Sequence, residues 1–345
     1  MIRAELKTAR LTLRPVAPED EGAVVACLND LEVTGWLAVV PHPYSPADFR
    51  AFQQDYAVPG HTFAVGDAQG FVGILGIEDR SLGYWFAPAS HGLGYATEAA
   101  RAVLAEHFAD DPADIASGYY DGNARSANVL RKLGFVENGR GMKFCRALGV
   151  MRAHVDMVLT QPGFIAALPW EAASKRLTYR PLLPVDAPAL HEIACIYDVT
   201  RQLGPRWPWP ADVAFTATRS RPYVGNGFAW GLFLDGQLIG SVAVTEGELG
   251  YALHPDHHRQ GLATEACLTA LARAFGPVAL QQVIASVWAD NAASLGLLAK
   301  LGFTVTGHDL GTNACRPDLT PGLQLLLTAQ AFTEAANIPP GVRGV

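Results

Sequence analysis

The sequence predicts an α+β protein, of mixed α/β type, in which two tandem domains of one kind each hold a mixed β-sheet flanked by helices. Three observations lead to this prediction. The chain has 345 residues, more than one typical domain needs. Its two halves carry the same motifs in the same order, and strand-like and helix-like patterns follow one another within each half. We expect domains at residues 1–160 and 174–337, a linker at 161–173 and a flexible tail at 338–345.

The repeat covers nearly the whole of each half. The strand-like segment at residues 8–15 recurs at 174–181, and two later motifs recur at nearly the same distance along the chain. Because the offset stays close to about 167 residues, few insertions separate the copies, and each copy has the size of a domain. The pattern indicates a tandem duplication of a domain and not a solenoid of short repeats.

Composition restricts the classes of function. Hydrophobic residues make up 50% of the chain, enough for two ordinary cores. The formal net charge of −7, without a cluster of Lys and Arg, argues against a nucleic-acid partner. No apolar segment has membrane-spanning length, and the first residues lack the apolar run of a signal peptide, so we expect no membrane partner and a cytoplasmic location. Five cysteines without metal-ligand or disulfide spacing are expected to be reduced core thiols: Cys27, Cys145, Cys195, Cys267 and Cys315.

Each half predicts the same series of elements. An alternating strand is followed by a helix that begins near Asp20 in the first copy and Asp186 in the second. A stretch rich in Pro and Trp comes next, at 36–44 and 202–210, and is either a rigid connection or a substrate-side loop. A hairpin follows, with an Asp-Gly turn signal at residues 235–236. The predicted strands are 11–14, 61–65, 71–77, 82–86 and 115–119 in the first copy, and 228–234, 237–244, 249–253 and 283–288 in the second.

Two helices and a final pair of strands complete each copy. Apolar residues fall at helical spacing from Ala99 to Phe108 and from Ala266 to Phe275. A second helix ends in Lys-Leu-Gly-Phe in both copies, where the Gly suits a left-handed helix stop and the Phe returns to the core.

The turn before the first of these helices is the stretch around which each copy is organised. It reads His-Gly-Leu-Gly-Tyr-Ala-Thr-Glu at 91–98 and His-Arg-Gln-Gly-Leu-Ala-Thr-Glu at 258–265. Such a turn exposes several backbone N–H groups at the positive end of a helix dipole, which suits an anion such as a diphosphate. A P-loop is excluded because neither copy has its Lys, and a dinucleotide motif is excluded because Thr97 stands at its third Gly position. Glu98 and Glu265 are expected to stabilise the helix start and not to be catalytic.

A second motif, Asn-x-x-Ser at the start of a helix, follows the turn by about 30 residues in both copies. In this order, and twice, the two motifs resemble the GNAT superfamily of acetyl-CoA-dependent N-acetyltransferases, closest to the branch that contains the ribosomal-protein N-terminal acetyltransferases. The resemblance spans residues 8–160 and 174–328. It implies that each sheet is splayed in the middle and holds acetyl-CoA between two diverging strands. No metal is expected, since His42, His61 and His254 lack metal-ligand spacing.

The resemblance also implies which residues bind the coenzyme. Backbone amides of the turn would hold the diphosphate, amides of the preceding strand the thioester oxygen, and one Asn in each copy the pantetheine arm. His91 and His258 stand where the family has Gln or Arg. Arg259 of the second copy replaces Gly92, and its charge either favours a diphosphate or is simply solvated. The cofactor-binding residues inferred in this way are Trp85, Phe86, His91, Gly92, Leu93, Gly94, Tyr95, Ala96, Thr97 and Asn123 in the first copy, and Ala252, Leu253, His258, Arg259, Gln260, Gly261, Leu262, Ala263, Thr264 and Asn291 in the second.

Catalytic roles follow from the same resemblance and from the chemistry of amide formation. The acceptor amine must lose a proton before it attacks, and the departing thiolate must gain one. Ser126 and Ser294 match a position that faces the coenzyme sulfur, and we predict that they donate this proton; alternatively, each only bonds its own helix start. Glu78, at a strand end opposite the turn, is the predicted base, with a solvated acid in a hairpin turn as the alternative. Tyr84 and Tyr251 are interpreted as packed aromatic residues.

The predicted function is that of an acetyl-CoA-dependent N-acetyltransferase. Its acceptor would be a primary amine, either a protein N-terminus or a small molecule, that attacks the acetyl group directly. Two alternatives stay open: one half is a non-catalytic scaffold that replaces a dimer partner, or the whole chain is an acyl-CoA-binding sensor. The first copy is slightly more family-like, because it has Asp156 where the second has Gln324. A monomer or a homodimer is expected.

Overall fold

Two compact units make up the chain. The computed structural model describes residues 5–223 and 225–335, and the units divide between Leu168 and Pro169. We call the described residues before this point the N-terminal unit and those after it the C-terminal unit. Each combines a mixed sheet with flanking helices, so the predicted α+β class and tandem architecture are confirmed. The flexible tail predicted at 338–345 lies outside the described residues.

The N-terminal unit begins with two strands followed by three helices, and ends with a hairpin and a short helix. Its strands are β1 (Leu6–Lys7), β2 (Thr12–Pro15), β3 (Thr62–Asp67), β4 (Gly70–Glu78), β5 (Ser81–Phe86), β6 (Ile115–Tyr120), β7 (Val136–Cys145) and β8 (Val150–Leu159). Its helices are α1 (Glu21–Leu28), α2 (Leu31–Thr34), α3 (Pro46–Asp55), α4 (Tyr95–Asp110), α5 (Ala124–Lys132) and α6 (Gln161–Ala166).

The C-terminal unit repeats this series. Its strands are β9 (Ala172–Ala173), β10 (Leu177–Arg180), β11 (Gly227–Leu234), β12 (Gln237–Thr245), β13 (Glu248–Leu253), β14 (Gln282–Trp288), β15 (Thr304–Asn313) and β16 (Arg316–Thr328). Its helices are α7 (Ala187–Ala194), α8 (Tyr197–Thr200), α9 (Val213–Arg219), α10 (Leu262–Phe275), α11 (Ala292–Lys300) and α12 (Ala329–Ala335).

Both sheets have the same strand order. It is β1-β2-β3-β4-β5-β6-β8-β7 in the N-terminal unit and β9-β10-β11-β12-β13-β14-β16-β15 in the C-terminal unit. Among the described strands, all neighbours are antiparallel except β5 with β6 and β13 with β14. A parallel pair needs a crossover, and α4 and α10 supply it. The turn that precedes each of these helices therefore lies at the carboxyl end of a central strand.

The two faces of the N-terminal sheet carry different helices. Ile74 and its cross-strand partner Trp85 pack into a cluster with apolar residues of α1, α2 and α3. On the other face, the Tyr119 hydroxyl accepts a hydrogen bond from Arg131 of α5 at 3.4 Å. Side chains alternate between the faces of a strand, so Gly83 lies on the α1–α3 face with Trp85. Residues 82 and 84 lie on the opposite face, which we call the α5 face.

The segment predicted as a linker, residues 161–173, belongs to regular structure at both ends. Helix α6 begins at Gln161, where the Thr160 hydroxyl caps it by accepting a hydrogen bond from the Gly163 N–H at 3.0 Å. Phe164 of α6 is buried and lies 5.5 Å from the ring of Phe108. A linker was expected here, but a proline such as Pro162 is well tolerated in the first turn of a helix.

Side-chain burial confirms the helical spacing read from the sequence. Ala99, Val103, Leu104 and Phe108 of α4 are all buried. The Asp235-Gly236 turn has positive φ angles at both residues, as a two-residue hairpin between β11 and β12 requires. No cysteine among the described residues is paired. The expectation that all five are core thiols is wrong for Cys195, which is exposed, and Cys27 and Cys315 are only partly buried.

Candidate functional site

The predicted turn is present in both units, with a left-handed residue immediately before the helix. Gly94 precedes α4 with a φ of 81°, and Gly261 precedes α10 with a φ of 76°. An L-residue in this conformation costs roughly 1–2 kcal/mol, which explains glycine at both positions. The turn therefore presents backbone, and not side chain, at the start of each helix.

Several backbone N–H groups of this turn have no partner. The first helical N–H to bond is that of Glu98, which donates to the Gly94 carbonyl at 3.1 Å, and Glu265 donates in the same way to Gly261. The N–H groups of residues 92–97 and 259–264 donate to no group among the described residues. These unpaired donors, together with the positive end of the helix dipole, form an anion site.

The acid that follows each turn is the centre of an ion pair. The Glu98 carboxylate accepts hydrogen bonds from the Thr8 hydroxyl at 2.6 Å, the Arg10 backbone N–H at 3.0 Å and the Arg10 Nε at 2.8 Å. Arg10 also donates through Nη1 to the Leu93 carbonyl at 2.9 Å. This network holds a guanidinium beside the turn, 3.5 Å from the position that a Gly94 Cβ would take.

The C-terminal unit repeats the network with equivalent residues. Glu265 accepts hydrogen bonds from the Ser174 hydroxyl and from Arg176, both through its backbone N–H and through its Nε, and Arg176 donates to the Gln260 carbonyl at 2.8 Å. Sequence reasoning assigned no role to Arg10 or Arg176. The repeated segments 8–15 and 174–181 both contain this arginine. Nothing local in them shows that it meets the first turn of a helix about 90 residues later in the chain.

The histidine of each turn is held by the end of the preceding strand. His91 Nε2 lies 2.9 Å from the Phe86 carbonyl, and His258 Nε2 lies 3.0 Å from the Leu253 carbonyl. Both rings therefore close the turn onto the end of the preceding strand. In this geometry the His side chains stabilise the turn, and the backbone amides are the groups that can bind an anion.

Next to each turn the sheet is split. The ladder between β5 and β6 has one residue pair, Ser81 with Ala116, and the ladder between β13 and β14 has only Glu248 with Ile284. Both pairs lie at the start of the strands, so the strands part towards their carboxyl ends, where the turn lies. The splayed sheet implied by the family resemblance is thus present in both units.

The edge of β5 at the split carries a backbone donor. The Ala87 N–H donates to the Val72 carbonyl of β4 at 2.9 Å. Successive N–H groups of a strand point to opposite edges, so the Phe86 N–H faces the split and the Trp85 N–H faces β4. The equivalent bond from His254 to Ile239 places the Leu253 N–H at the split of the C-terminal unit. In each predicted pair, Trp85-Phe86 and Ala252-Leu253, it is therefore the second residue whose backbone N–H faces the split.

A tyrosine and a serine meet at each split, on the α5 face in the N-terminal unit and beside α11 in the C-terminal unit. The Tyr84 hydroxyl lies 2.9 Å from Ser126 Oγ, and the Tyr251 hydroxyl lies 2.9 Å from Ser294 Oγ. Burial raises the pKa of Tyr84 to about 12, although the Ser126 hydrogen bond opposes the shift. Burial also raises the pKa of Tyr251. Both phenols stay protonated at neutral pH, so the interpretation of these tyrosines as packing residues needs extending: their hydroxyls join the predicted serines.

The asparagines before these serines act as helix caps. Asn123 Oδ1 accepts a hydrogen bond from the Ser126 N–H, and Asn291 Oδ1 accepts one from the Ser294 N–H, each at 3.1 Å. Their Nδ2 groups have no hydrogen-bond partner among the described residues. The caps fix the serines against the split and leave an amide donor for a ligand.

Glu78 lies apart from this group. It is exposed and pairs with Ser81 at the hairpin between β4 and β5, which is the end where β5 and β6 are still joined. Ser81 is three residues from Tyr84 along β5, about 10 Å at the usual strand rise. The structure therefore does not bring Glu78 together with Ser126.

Each unit places one additional cation near the turn, but from a different element. In the N-terminal unit Arg125 of α5 reaches His91, with Nη1 2.5 Å from Nδ1. Its counterpart in the C-terminal unit is Ala293, and that unit instead has Arg259 in the turn itself, with a φ of 60°. The two splits therefore present different charge distributions to the same kind of ligand.

The Trp-containing stretch of the N-terminal unit packs over the α1–α3 face of the sheet. The Arg152 guanidinium lies 4.3 Å from the ring centroid of Trp36 and 4.9 Å from that of Tyr120, and it donates to the Gly35 carbonyl. In the C-terminal unit Arg316 lies over Trp288 at 5.1 Å. The irregular stretch thus contacts Arg152 of β8, and Arg152 in turn lies over Tyr120 of β6, the strand that borders the split, on the face opposite the Tyr84–Ser126 pair.

The turn has room for a large anion against its backbone. A Cβ on Gly92 would meet nothing within 4 Å, and a Cβ on Gly94 would meet only the Arg10 guanidinium. An open glycine backbone, unpaired amides and a held guanidinium suit a diphosphate. The adjoining split suits an extended chain that places its amide groups between two unpaired strand edges. The residues present therefore fit acetyl-CoA.

A split mixed sheet with a diphosphate turn at its mouth defines a domain that binds a coenzyme A thioester. The family model for the acetyltransferase (GNAT) domain matches residues 10–136 and 176–304, about three quarters of the chain. The chain belongs to the GNAT family of acetyltransferases, with one domain in each unit. Acetyl-CoA is the cofactor of this family, which agrees with the fit described above.

Individual relatives are more distant. The Bacillus subtilis (strain 168) protein named uncharacterized N-acetyltransferase YoaA is 38% identical over 60 residues, which are 17% of this chain and 34% of that protein. The chain thus spans about a third of the length of the curated relative it matches.

Solved structures that resemble part of the chain include a spermidine N-acetyltransferase, RimJ and RimL. A spermidine N-acetyltransferase from Vibrio cholerae in complex with CoA and spermine is 20% identical, with 46% of this chain and 99% of that chain covered and a TM-score of 0.39. Mycobacterium smegmatis RimJ in complex with CoA-disulfide is 23% identical, with 44% and 82% covered and a TM-score of 0.38. RimL, a ribosomal L7/L12 alpha-N-protein acetyltransferase, is 16% identical, with 47% and 99% covered and a TM-score of 0.41.

Two further findings concern ligands and membranes. Within residues 5–223 and 225–335, no group of three or more His, Cys, Asp or Glu side chains is arranged to hold a metal ion. The helices of this part of the chain are all too short or too polar to cross a bilayer.

Proposed function

We propose that the protein is an acetyl-CoA-dependent N-acetyltransferase that acetylates a primary amine by direct attack. The observation that carries the proposal is the combination, in both units, of a split sheet and an adjacent turn whose amides at residues 92–97 and 259–264 are unpaired. A domain that only binds acetyl-CoA would need the turn. It would not need a pair of hydroxyl groups, such as those of Tyr84 and Ser126, held at the split.

The bound cofactor would supply an acetyl group activated as a thioester. The amides of the turn, together with Arg10 or Arg176, hold the diphosphate. The Nδ2 groups of Asn123 and Asn291 bind the pantetheine arm. The N–H groups of Phe86 and Leu253 face the split, where they are placed to donate to the thioester oxygen as it gains charge.

Protonation of the leaving thiolate is assigned to the hydroxyl pair. Ser126 Oγ or the Tyr84 hydroxyl holds a proton at the α5 face of the split, and the partner hydroxyl replaces it through their 2.9 Å hydrogen bond. Ser294 and Tyr251 are placed in the same way. Glu78 stays a candidate for the base that takes the amine proton, and substitution can decide its role.

The acceptor is a primary amine, either at a protein N-terminus or on a small molecule. Its contacts are proposed to come from the irregular stretches at 36–44 and 202–210, because Trp36 of the first stretch packs on Arg152 of β8, the strand next to β6 in the sheet. The five unpaired cysteines suit a reducing compartment such as the cytoplasm. A monomer or a homodimer is compatible with two domains in one chain.

An amine panel tests the proposal. Purified full-length protein is incubated with acetyl-CoA and polyamines, amino acids or peptides with free N-termini, and free thiol release is followed together with the mass of the acceptor. Transfer requires both thiol release and a gain of one acetyl group by the amine. Calorimetric titration with acetyl-CoA alone is the companion measurement.

The alternative functions give other outcomes. Acetyl-CoA binding at both units without transfer to any amine would indicate a sensor and would reject the enzyme proposal. Binding at one unit only would indicate that the other unit is a scaffold. Absence of acetyl-CoA binding would reject the assignment of the turns.

A further inference from the structure

A histidine and an aspartate form a hydrogen-bonded pair on the N-terminal sheet. His154 of β8 lies opposite Tyr120 of β6, and its ring packs edge-on against the Tyr120 ring with centroids 5.5 Å apart. Its Nδ1 lies 3.0 Å from Asp156 Oδ1. His154 is 9% exposed, whereas the Asp156 side chain is 57% exposed. The carboxylate therefore stays in contact with solvent while it orients a buried imidazole.

The free nitrogen of this histidine lies over the strand that borders the split. A Cβ on Gly118 of β6 would be 2.9 Å from His154 Nε2, and closer still to Cε1. The ring can occupy this place only because residue 118 is glycine. No described residue forms a hydrogen bond with Nε2. A hydrogen-bond acceptor is thus aimed across β6 without a partner.

The histidine and the hydroxyl pair lie on opposite faces of the sheet. Ser81 pairs with Ala116 and Gly118 with Asp156, so alternation puts Gly118, Tyr120, His154 and Asp156 on the α1–α3 face. The Tyr84 side chain points to the α5 face. An amine that enters from the α1–α3 face would meet His154 as a proton acceptor. A thiolate that leaves towards the α5 face would meet the Tyr84–Ser126 pair as a proton donor.

The surroundings keep the imidazole neutral. Burial lowers the pKa of His154, and the charge of Lys143 on β7 lowers it further, while Asp156 opposes both. Arg152 of the same strand adds a positive charge on the Tyr120 ring, and Tyr120 itself faces the imidazole from β6. With the Nδ1 proton donated to Asp156, the Nε2 lone pair is available as a base at neutral pH.

The C-terminal unit lacks every part of this arrangement. In its sheet Trp288 pairs with Gly322 and Ser286 pairs with Gln324. Gly322 therefore takes the place of His154, Gln324 that of Asp156 and Ser286 that of Gly118. Neither glycine nor glutamine accepts a proton at neutral pH, so the turns and hydroxyl pairs are duplicated while the His–Asp pair is not.

We propose that His154 is the general base for the acceptor amine, with Asp156 as its positioning residue, and that only the N-terminal unit turns over. The inference rests on the proposed function. Nε2 takes one proton from the ammonium form of the acceptor and passes it to water. The amine nitrogen then forms a C–N bond to the acetyl carbon as the C–S bond breaks. The second nitrogen proton leaves through Nε2, and the thiolate gains a proton from the Tyr84–Ser126 pair, which water restores. Acetyl-CoA and an ammonium thus yield an acetamide, the free thiol and one proton.

Kinetics of full-length variants test the base. His154→Gln is expected to lower kcat with the best amine of the panel about 100-fold or more, to leave acetyl-CoA affinity unchanged, and to remove the acidic limb of the kcat/KM profile. Asp156→Asn should lower kcat less and shift that limb, and Asp156→Glu should restore most of the rate. Gln324→Ala, at the matched position of the C-terminal unit, is the control and should leave kcat unchanged.

Four kinetic results would overturn the inference. A His154→Gln rate near half that of the wild type would show that the C-terminal unit turns over. An unchanged rate, or a loss of the acidic limb in Glu78→Gln but not in His154→Gln, would move the base elsewhere while leaving the acetyltransferase proposal intact. A wild-type protein that acetylates no amine would remove both proposals.

A measurement without cofactor gives an independent readout. Long-range ¹H–¹⁵N NMR of the free protein should show His154 neutral at pH 7 with its proton on Nδ1, and Asp156→Asn should change the tautomer ratio. A protonated His154 at pH 7, or a proton on Nε2 in the wild type, would contradict the assignment. Unfolding curves of each variant show whether a rate loss reflects a loss of folded protein.

Discussion

The hydroxyl oxygen of Tyr84 lies 2.9 Å from Oγ of Ser126, and this bond joins the two walls of the split in the N-terminal unit. Tyr84 belongs to β5, whereas Ser126 belongs to the helix that follows β6. Tyr251 and Ser294 form the same bond in the C-terminal unit. A hydroxyl pair that is repeated after duplication of the domain, at the point where the strands part, is the feature expected of a proton donor to a leaving thiolate.

Removal of either hydroxyl should slow acetyl transfer. We expect Tyr84→Phe and Ser126→Ala each to lower kcat about tenfold or more, with a small effect on acetyl-CoA affinity, because the diphosphate contacts are elsewhere. The double variant should be no slower than the slower single variant, since the two groups act as one donor. Steady-state thiol release measures the rates.

Tyr119→Phe is the matched control for this pair. It removes a hydroxyl on the same face that contacts Arg131 and not Ser126, so the rate should stay near that of the wild type. Independent, multiplicative losses in Tyr84→Phe and Ser126→Ala would argue against a shared proton.

Bulky side chains at the turns should block cofactor binding one unit at a time. Wild-type protein is expected to bind two acetyl-CoA molecules, and Gly94→Trp or Gly261→Trp should each reduce the stoichiometry to one. The physical reason is that a side chain at either position fills the space over the unpaired amides. Isothermal titration calorimetry measures the number of sites.

Strain at a positive φ must be separated from blocked binding. Gly149→Trp provides this control, because Gly149 has a φ of 68° and open space around it but lies in the β7–β8 hairpin. It should retain two sites. Two sites in Gly94→Trp would reject the assignment of the N-terminal turn.

The Glu98 network should make stability depend on pH in a defined direction. Burial opposes ionisation of Glu98, but hydrogen bonds from Thr8 and Arg10 outweigh it and lower the pKa of this carboxyl. A lowered folded-state pKa means that the stabilisation is fully present above the unfolded pKa of about 4.3. It is lost as pH falls through the folded value.

Glu98→Gln should therefore lower the free energy of unfolding by about 1–2 kcal/mol at pH 7 and flatten its decline below pH 4.5. Urea unfolding between pH 3 and pH 7 measures both effects. Glu19→Gln, an exposed acid near the start of α1 without a hydrogen-bond partner among the described residues, should leave the curve nearly unchanged. The same slope in Glu98→Gln as in the wild type would show that the network contributes nothing to acid stability.

The Gly118–His154 contact predicts a coupled substitution. Gly118→Ser, which introduces the residue of the C-terminal unit, should lower stability by about 1–3 kcal/mol, because its Cβ meets the imidazole ring. The double variant Gly118→Ser/His154→Gly restores the pairing found in β14 and β16 and should be less destabilised than the sum of the single changes.

Gly141→Ser is the control for the Gly118 variants. Gly141 of β7 also pairs with His154, but a Cβ there would meet nothing within 4 Å, so its effect should stay within about 0.5 kcal/mol. Additive free energies in the Gly118/His154 cycle, measured by urea unfolding, would show that the ring does not occupy the place over Gly118.

The sequence was informative wherever a function depends on local backbone. Gly94 and Gly261 could be predicted as the centre of an anion site because a left-handed glycine before a helix is a local requirement. The family resemblance predicts that Asn123 and Asn291 bind the coenzyme, and their capping role follows from their position before a helix. Helix α6 was not predicted because a proline such as Pro162 can indicate either of two things. It interrupts a helix when it lies within it, and it is a favoured residue in the first turn.

Contacts between distant segments were not predictable in this way. Arg10 stands 88 residues before the Glu98 that holds it, and His154 is 36 residues from the Gly118 that admits its ring. Glu78 was chosen as a base because it ends a strand, but strand position alone does not tell which end of a split is open. His154 carried no motif, and only its pairing with Tyr120 places it near the split.

The amino-acid sequence by itself determined that two copies of one acetyltransferase domain follow each other, and that each has a glycine turn before one helix and an Asn cap before the next. Repeats, glycines and caps act over a few residues, so they can be read along the chain. Only the tertiary structure decided which side chains meet at the split, because register and face bring together residues from separate strands. That is why two halves with the same motifs differ at His154 and Gly322.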